Sequence, residues 1–306
     1  MNSQESVRTI IIALVANVVI AVAKLISGLM SGSTALLAEA AHSFADSSNE
    51  VLLAISLRRA KKPADDTHPL GHGRERFLWA FMAAVASFLI GGCFSIAMAI
   101  HELTHETPTK HTLAAWIVLG VAFLADGFSW LQSVGQAVDE AREHKRSLSA
   151  HLMRSSDPIV RAIVVEDSAA LIGLVFAAVG LLFSELTHSG RPDAIASLLI
   201  GLLMAVTAFG LARPLADFLV GRSLPEPYLE KIRSVIARAK GVEEIMSVQA
   251  VYTGPEEVIV AAKVRPSSEL TGDELAKAMD DLDAVLRRES PFVADVYIDV
   301  TNHHPR

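Results

Sequence analysis

Residues 33–57, STALLAEAAHSFADSSNEVLLAISL, decide how this chain is to be read. The stretch is long enough to cross a bilayer as a helix, for which about 20 residues suffice. It nevertheless carries Glu39, His42, Asp46 and Glu50 where hydrocarbon should sit, and charge at that depth is costly enough to demand a role. Spacings of three and four place the four groups on one side of a helix, with His42 and Asp46 one turn apart and facing the same way. An imidazole and a carboxylate so arranged make half of a metal site.

Working outward, the chain before Arg222 holds six apolar stretches of spanning length, roughly 7–30, 33–57, 77–100, 113–137, 158–183 and 192–220. They account for a hydrophobic content of 51%, too high for two ordinary soluble domains in 306 residues. Small and polar residues interrupt all six, as in helices that pack on helices. The first is expected to stay as an anchor and not to be cleaved as a signal. Arg58, Arg59, Lys61, Lys62, Arg74 and Arg76 follow the second stretch, and Arg142, Lys145, Arg146, Arg154 and Arg161 follow the fourth. The opposite connections hold only Lys110 and Arg191, so both termini and the two basic loops are expected in the cytoplasm, at the inner membrane of a cell. The net charge of -7 thus combines a basic belt with an acidic tail. Short juxtamembrane basic loops are explained by anionic lipid, and no nucleic acid is expected. The single Cys93 excludes an internal disulfide and a thiolate metal cluster.

From Pro225 the texture changes. A helical pattern over 226–240, strand alternation over 244–252 and 258–264 across Gly254-Pro255, an amphipathic helix from Thr271 to about Glu289 and a strand over 294–300 give the order αββαβ. That order suits a small open-faced sheet with both helices on one side, a ferredoxin-like arrangement. The expected class is therefore an α-helical membrane protein: six transmembrane helices over 1–222 and a small αββαβ cytoplasmic domain over 223–306.

Other polar groups compete for attention. Lys24 lies near the outer end of the first span and is expected to snorkel to the interface. Asp65, Asp66, His68 and His72 share one short loop, which reads either as a metal site or as a solvated turn. Residues 101–105, HELTH, match the H-E-x-x-H pattern of zinc peptidases, with Pro108 close behind and no evident third ligand. A hydrated loop, with His111 and His188 nearby, is the alternative. Asp126 sits mid-span in the fourth stretch. Glu166 and Asp167 are adjacent in the fifth, so they point about 100° apart and are expected to serve different neighbours.

Taken together, the SGSTALLAEAAHSFAD segment, the HPLGHGR loop, the PDAIASLLI start of the sixth span and the αββαβ tail resemble the cation diffusion facilitators, a family of divalent-metal/proton antiporters that includes zinc transporters. The resemblance covers nearly the whole chain. It implies that His42 and Asp46 on the second span and Asp167 on the fifth hold the transported ion. The remaining family position falls at Ile163, which cannot bind a metal, leaving Glu166 or Asp126 to replace it, with Glu50 as a further ligand or proton relay. The resemblance also implies a loop metal site at Asp65, His68 and His72. The tail's metal positions fall at Gln249, Ala262, Asp299 and Thr301, mostly non-ligands, and a family charge contact from Arg74 meets Gly221, with Asp217 a turn away. It implies further a homodimer formed through the membrane and tail domains.

The expected function is proton-coupled efflux of a divalent cation. Metal binding needs neutral His42 and ionised carboxylates, so protons and metal compete for the same atoms. Zinc is the first expectation, with Mn²⁺, Fe²⁺, Co²⁺ or Mg²⁺ open because one imidazole among carboxylates makes a hard site. The ion is substrate; no organic cofactor is expected. Two other readings are a membrane zinc metallopeptidase built on His101, Glu102 and His105, and a non-transporting membrane scaffold.

Overall fold

A computed structural model describes residues 3–105, 113–143, 158–255 and 257–301. Lys110, His111, Lys145, Arg146 and Arg154 lie outside the described residues. The long helices come first: α1 (Ser3–Ser31), α2 (Thr34–Arg59), then α3 (Glu75–Ala86), a π-helical segment (Ser87–Cys93) and α4 (Phe94–Thr104) in one run, followed by α5 (Leu113–Glu143), α6 (Pro158–Thr187) and α7 (Arg191–Val220). Among the described residues four of these runs are long and apolar enough to cross a membrane: Glu75–Thr104, Leu113–Asp139, Ile163–Thr187 and Arg191–Val220. The apolar described part of α1 covers Asn17–Ser31, and α2 has the length but is kept out by its polar residues. On α5, Leu113, Ile117, Val121, Leu124, Phe128 and Leu131 recur at spacings of three and four and stay exposed, the outward stripe that hydrocarbon solvates.

The chain divides into two compact units, Met1–Ile55 with Trp79–Leu215, and Ser56–Leu78 with Ala216–Arg306. In the first, Leu36, Leu119, Leu174, Leu181 and Ile200 build a core from α2, α5, α6 and α7. Alanines at 35, 38, 115, 122, 177 and 196 join it, small side chains that let helix backbones approach. The turn between α1 and α2 is so short that the two are antiparallel neighbours. The start of α2 is fixed from α7: Asp193 accepts hydrogen bonds from Ser33 Oγ at 2.7 Å, Thr34 Oγ1 at 3.0 Å and the Ala35 N–H at 3.1 Å. Ser33 Oγ in turn accepts the Leu36 N–H at 3.1 Å. A carboxylate on the unsatisfied donors of a helix N-terminus is stabilising, which gives a physical reason for SGSTALL and PDAIAS to occur in one chain.

The second unit carries α8 (Glu226–Ala237), β1 (Val242–Gly254), β2 (Glu257–Pro266), α9 (Gly272–Glu289) and β3 (Val293–Val300). The sheet order is β1-β2-β3, with β1 antiparallel and β3 parallel to β2. Val258, Val260, Ala262 and Val264 alternate inward along β2 and meet Ile232 and Ile236 of α8 and Leu282 and Leu286 of α9, so both helices cover one face. The helix α9 opens on a capping box between Thr271 and Glu274. The loop 56–78 belongs to this unit, and Gly73 is where it touches the sheet: a Cβ there would lie 2.6 Å from the Thr253 carbonyl oxygen. Phe77 stacks on Phe218 at 4.6 Å, and Phe218 meets Tyr252 edge-on at 5.3 Å.

Candidate metal centres

The first centre is built on α2. His42 Nε2 lies 3.5 Å from Asp46 Oδ2, the one-turn pairing the spacing predicts. His42 is 3% exposed, and neither ring nitrogen makes a hydrogen bond within the protein. Asp46 Oδ1, Glu50 Oε2 and Glu39 Oε1 are likewise buried without a partner. Asn49 Oδ1 is a sixth such atom on α2, and because buried polar atoms without partners each forfeit their solvation, the set is suited to a ligand that several of them can share.

The neighbouring helices supply the rest. Asp167 of α6 faces α5, where Ser129 Oγ donates to its Oδ2 at 3.5 Å. Glu166 turns the other way and accepts from Asn49 Nδ2 of α2 at 2.7 Å. Adjacent carboxylates thus serve different neighbours, as their 100° separation requires. Asn49 Nδ2 also donates to Ser87, at the start of the π segment, at 2.8 Å. Glu50 Oε1 accepts from Asn17 of α1 at 2.7 Å. Asp126 of α5 stands 3.5 Å from Lys24 Nζ. Ile163, one turn before Asp167, is exposed. His42, Asp46 and Asp167 do not draw three ligand atoms within 4.8 Å of one another; among the described residues, the loop discussed below is the one group of three that does.

Lys24 corrects the sequence expectation. It does not snorkel: the side chain is 0% exposed, with Nζ 3.1 Å from Glu39 Oε2 and 2.9 Å from Ser43 Oγ besides its contact with Asp126. Three acceptors lying 15 to about 100 residues away along the chain hold it inside. Glu39 fits against α6 because residue 173 is glycine; a Cβ there would lie 2.4 Å from Glu39 Oε1. Lys24 and Asn49 are the residues that sequence reasoning missed. Asn49 was signalled only by its place three residues after Asp46, and Lys24 only by an interior-facing position that periodicity does not reveal.

The second centre is the loop. Asp65 Oδ1 accepts the N–H groups of Thr67 at 2.9 Å and His68 at 2.7 Å, a side-chain turn that folds the loop locally. Gly71, at φ +76°, then reverses the chain, bringing the rings of His68 and His72 to 4.2 Å. His72 Nε2 lies 2.9 Å from Asp65 Oδ2 and Nδ1 2.8 Å from Glu75 Oε1. Hydrogen bonds from Thr67 and then His72 hold the Asp65 carboxyl well below the usual carboxylate range. Hydrogen bonding to Asp65, then Glu75, pushes the His72 imidazole up. Asp65, His68 and His72 offer one carboxylate oxygen and two imidazole nitrogens within 4.8 Å, a donor set that fits Zn²⁺ or Mn²⁺.

Elsewhere the candidates disperse. His101 and His105 are exposed with their rings stacked at 4.7 Å, whereas Glu102 is buried, so the three do not open on one site. In the tail, Ala262 is part of the core and Asp299 pairs with Lys263 at 3.3 Å. Among the described residues Arg74 makes no ion pair with Asp217; instead Arg59 pairs with Glu75 at 3.7 Å.

The cation efflux transmembrane domain family matches residues 10–220 of the chain. The chain is 29% identical over 255 residues to metal tolerance protein C4 of Arabidopsis thaliana, covering 83% of this chain and 56% of that protein. It is 28% identical over 241 residues to the mitochondrial proton-coupled zinc antiporter SLC30A9 of Xenopus laevis, covering 79% and 43%. Over 257 residues it is 26% identical to the manganese efflux system protein MneP of Bacillus subtilis, covering 81% and 80%. The chain spans about half the length of the first two relatives.

Proposed function

Since this chain belongs to the cation efflux family, we propose that it exports a divalent metal cation, zinc first, from the cytoplasm in exchange for protons. The apolar helices and the family together make it an integral membrane protein, and a member of a transporter family is not a peptidase. The reading places six transmembrane helices in residues 1–222, a ferredoxin-like cytoplasmic domain in 223–306, both termini in the cytoplasm and the protein in the cell's inner membrane as a homodimer. One observation carries it: both nitrogens of His42 and one oxygen of Asp46 are buried on α2 without a hydrogen-bond partner.

The cargo is held by His42, Asp46 and Asp167, with Glu166, Asp126 and Glu50 supplying a further ligand or a proton relay. Those atoms accept either the ion or protons, so protonation from outside expels the metal and deprotonation inside restores the site. Helix rocking opens the site to each face in turn. In the loop, Asp65, His68 and His72 hold a second ion that stays. The names of relatives include both a zinc antiporter and a manganese efflux protein, and a site of one imidazole among carboxylates suits either metal.

The test is metal uptake into reconstituted vesicles under an imposed pH gradient, across Zn²⁺, Mn²⁺, Fe²⁺, Co²⁺ and Mg²⁺, with wild type, Asp46→Ala, Asp167→Ala and Asp126→Ala. Zinc flux that follows the gradient and is lost in Asp46→Ala and Asp167→Ala supports the reading. Wild-type vesicles that move none of these metals would leave only the scaffold.

A further inference from the structure

Lys24 is a fully enclosed ammonium among carboxylates, and the exchange of metal for protons gives it no task. Its three N–H bonds have three oxygens within 3.5 Å: Glu39 Oε2, Ser43 Oγ and Asp126 Oδ2. On α2, Glu39 lies one turn before His42 and Ser43 directly follows it, and Asp126 comes from α5. An ammonium has no further donors, so its valences are closed while those of His42 beside it stay open.

We propose that Lys24 is a resident cation that withholds Asp126 and Glu39 from the cargo, so that His42, Asp46 and Asp167 hold the ion weakly enough to let it go. The inference rests on the transport reading. A divalent ion offered all of these carboxylates at once would bind tightly and leave slowly, and conduction requires both entry and exit. In a low-dielectric interior the ammonium pairs with two of the carboxylates, offsetting one of their two negative charges, and repels a second cation brought close to it. Asp126 is thereby a counter-ion of Lys24, and Glu166 is left as the fourth ligand where Ile163 offers none. Lys24 acts through Asp126 and Glu39 and is a positioning residue for the ion.

A plain interhelical clasp would predict something else: its loss reduces the number of working transporters, lowering the maximal rate at unchanged KM. Zinc flux into proteoliposomes under a pH gradient, with wild type, K24Q, K24Q/D126N and E39Q/D126N, separates the two. In K24Q the freed carboxylates bind the cargo, so KM and the maximal rate both fall, on the order of tenfold. In K24Q/D126N KM returns toward the wild-type value. In E39Q/D126N the ammonium faces the ion unneutralised and KM rises by a similar factor. An unchanged or raised KM in K24Q overturns the assignment, and if K24Q does not fold, an unchanged KM in E39Q/D126N does so. Wild-type vesicles without flux remove the transport reading itself, and this inference with it.

Discussion

In the loop cluster both ring nitrogens of His72 already lie within hydrogen-bond distance of a carboxylate oxygen, whereas on α2 neither nitrogen of His42 makes a hydrogen bond and the nearest carboxylate oxygen, on Asp46, stands 3.5 Å from Nε2. The candidate ligand atoms of the loop lie within 4.8 Å of one another. The candidate ligands His42, Asp46 and Asp167 on α2 and α6 do not gather that closely. A cluster saturated by its own hydrogen bonds gains only the difference between metal and proton when an ion enters, and needs little rearrangement. Buried atoms without partners carry a standing penalty that an ion relieves, and relief that requires helices to come together can be reversed by moving them apart. The contrast suits one ion that resides and one that passes through.

The sharpest way to break this contrast is to remove one ligand from each cluster. Asp46→Ala is expected to lower gradient-driven metal flux on the order of 100-fold, whereas Asp65→Ala keeps it within about threefold; equal losses in the vesicle assay would erase the distinction. Next in size is the clamp that lets α2 tolerate its unpaired groups. Asp193→Ala leaves Ser33, Thr34 and Ala35 without their acceptor and is expected to cost about 2–3 kcal/mol, read as a lowered unfolding temperature in detergent. Gly173→Ala pushes a Cβ to 2.4 Å from Glu39 Oε1, an overpacking expected to cost about 1–2 kcal/mol. Unchanged melting would show that Glu39 has room to move.

The smallest effect sharpens the loop side. The His72 pKa is raised from its ordinary 6.5, so the loop's hydrogen-bonded form is favoured below that value and is lost as pH rises through the raised one. Zinc must displace that proton, so its affinity for the loop should rise about tenfold per pH unit until the raised pKa is passed, then level off. Calorimetric zinc titration of Asp46→Ala protein at pH 6, 7 and 8 reads the loop site by itself, and a flat profile would show that His72 carries no proton to displace.

Much of this was legible because periodicity carries it. The pairing of His42 with Asp46 follows from a four-residue spacing, the divergence of Glu166 and Asp167 from their adjacency, and β2 from its strict alternation. The fate of Lys24 was not legible: near a helix end a lysine either snorkels or turns inward, and the choice depends on Glu39 and Asp126, which lie on other helices. Nor does any local pattern reveal that Asn49 joins Ser87 to Glu166, that Gly73 brings the loop against the sheet, or that residues 87–93 wind as a π-helix. These depend on contacts between stretches distant in sequence, which no single window contains.

Ser33 and Asp193 are separated by 160 positions along the chain. During synthesis the leading end of α2 therefore leaves the ribosome long before its acceptor exists, and its hydroxyl and amide donors must be satisfied by water or lipid headgroups in the interim. Only when residue 193 emerges can that end be sealed, so the helix bearing His42 and Asp46 is among the last parts of its unit to settle, although it is the second to be made.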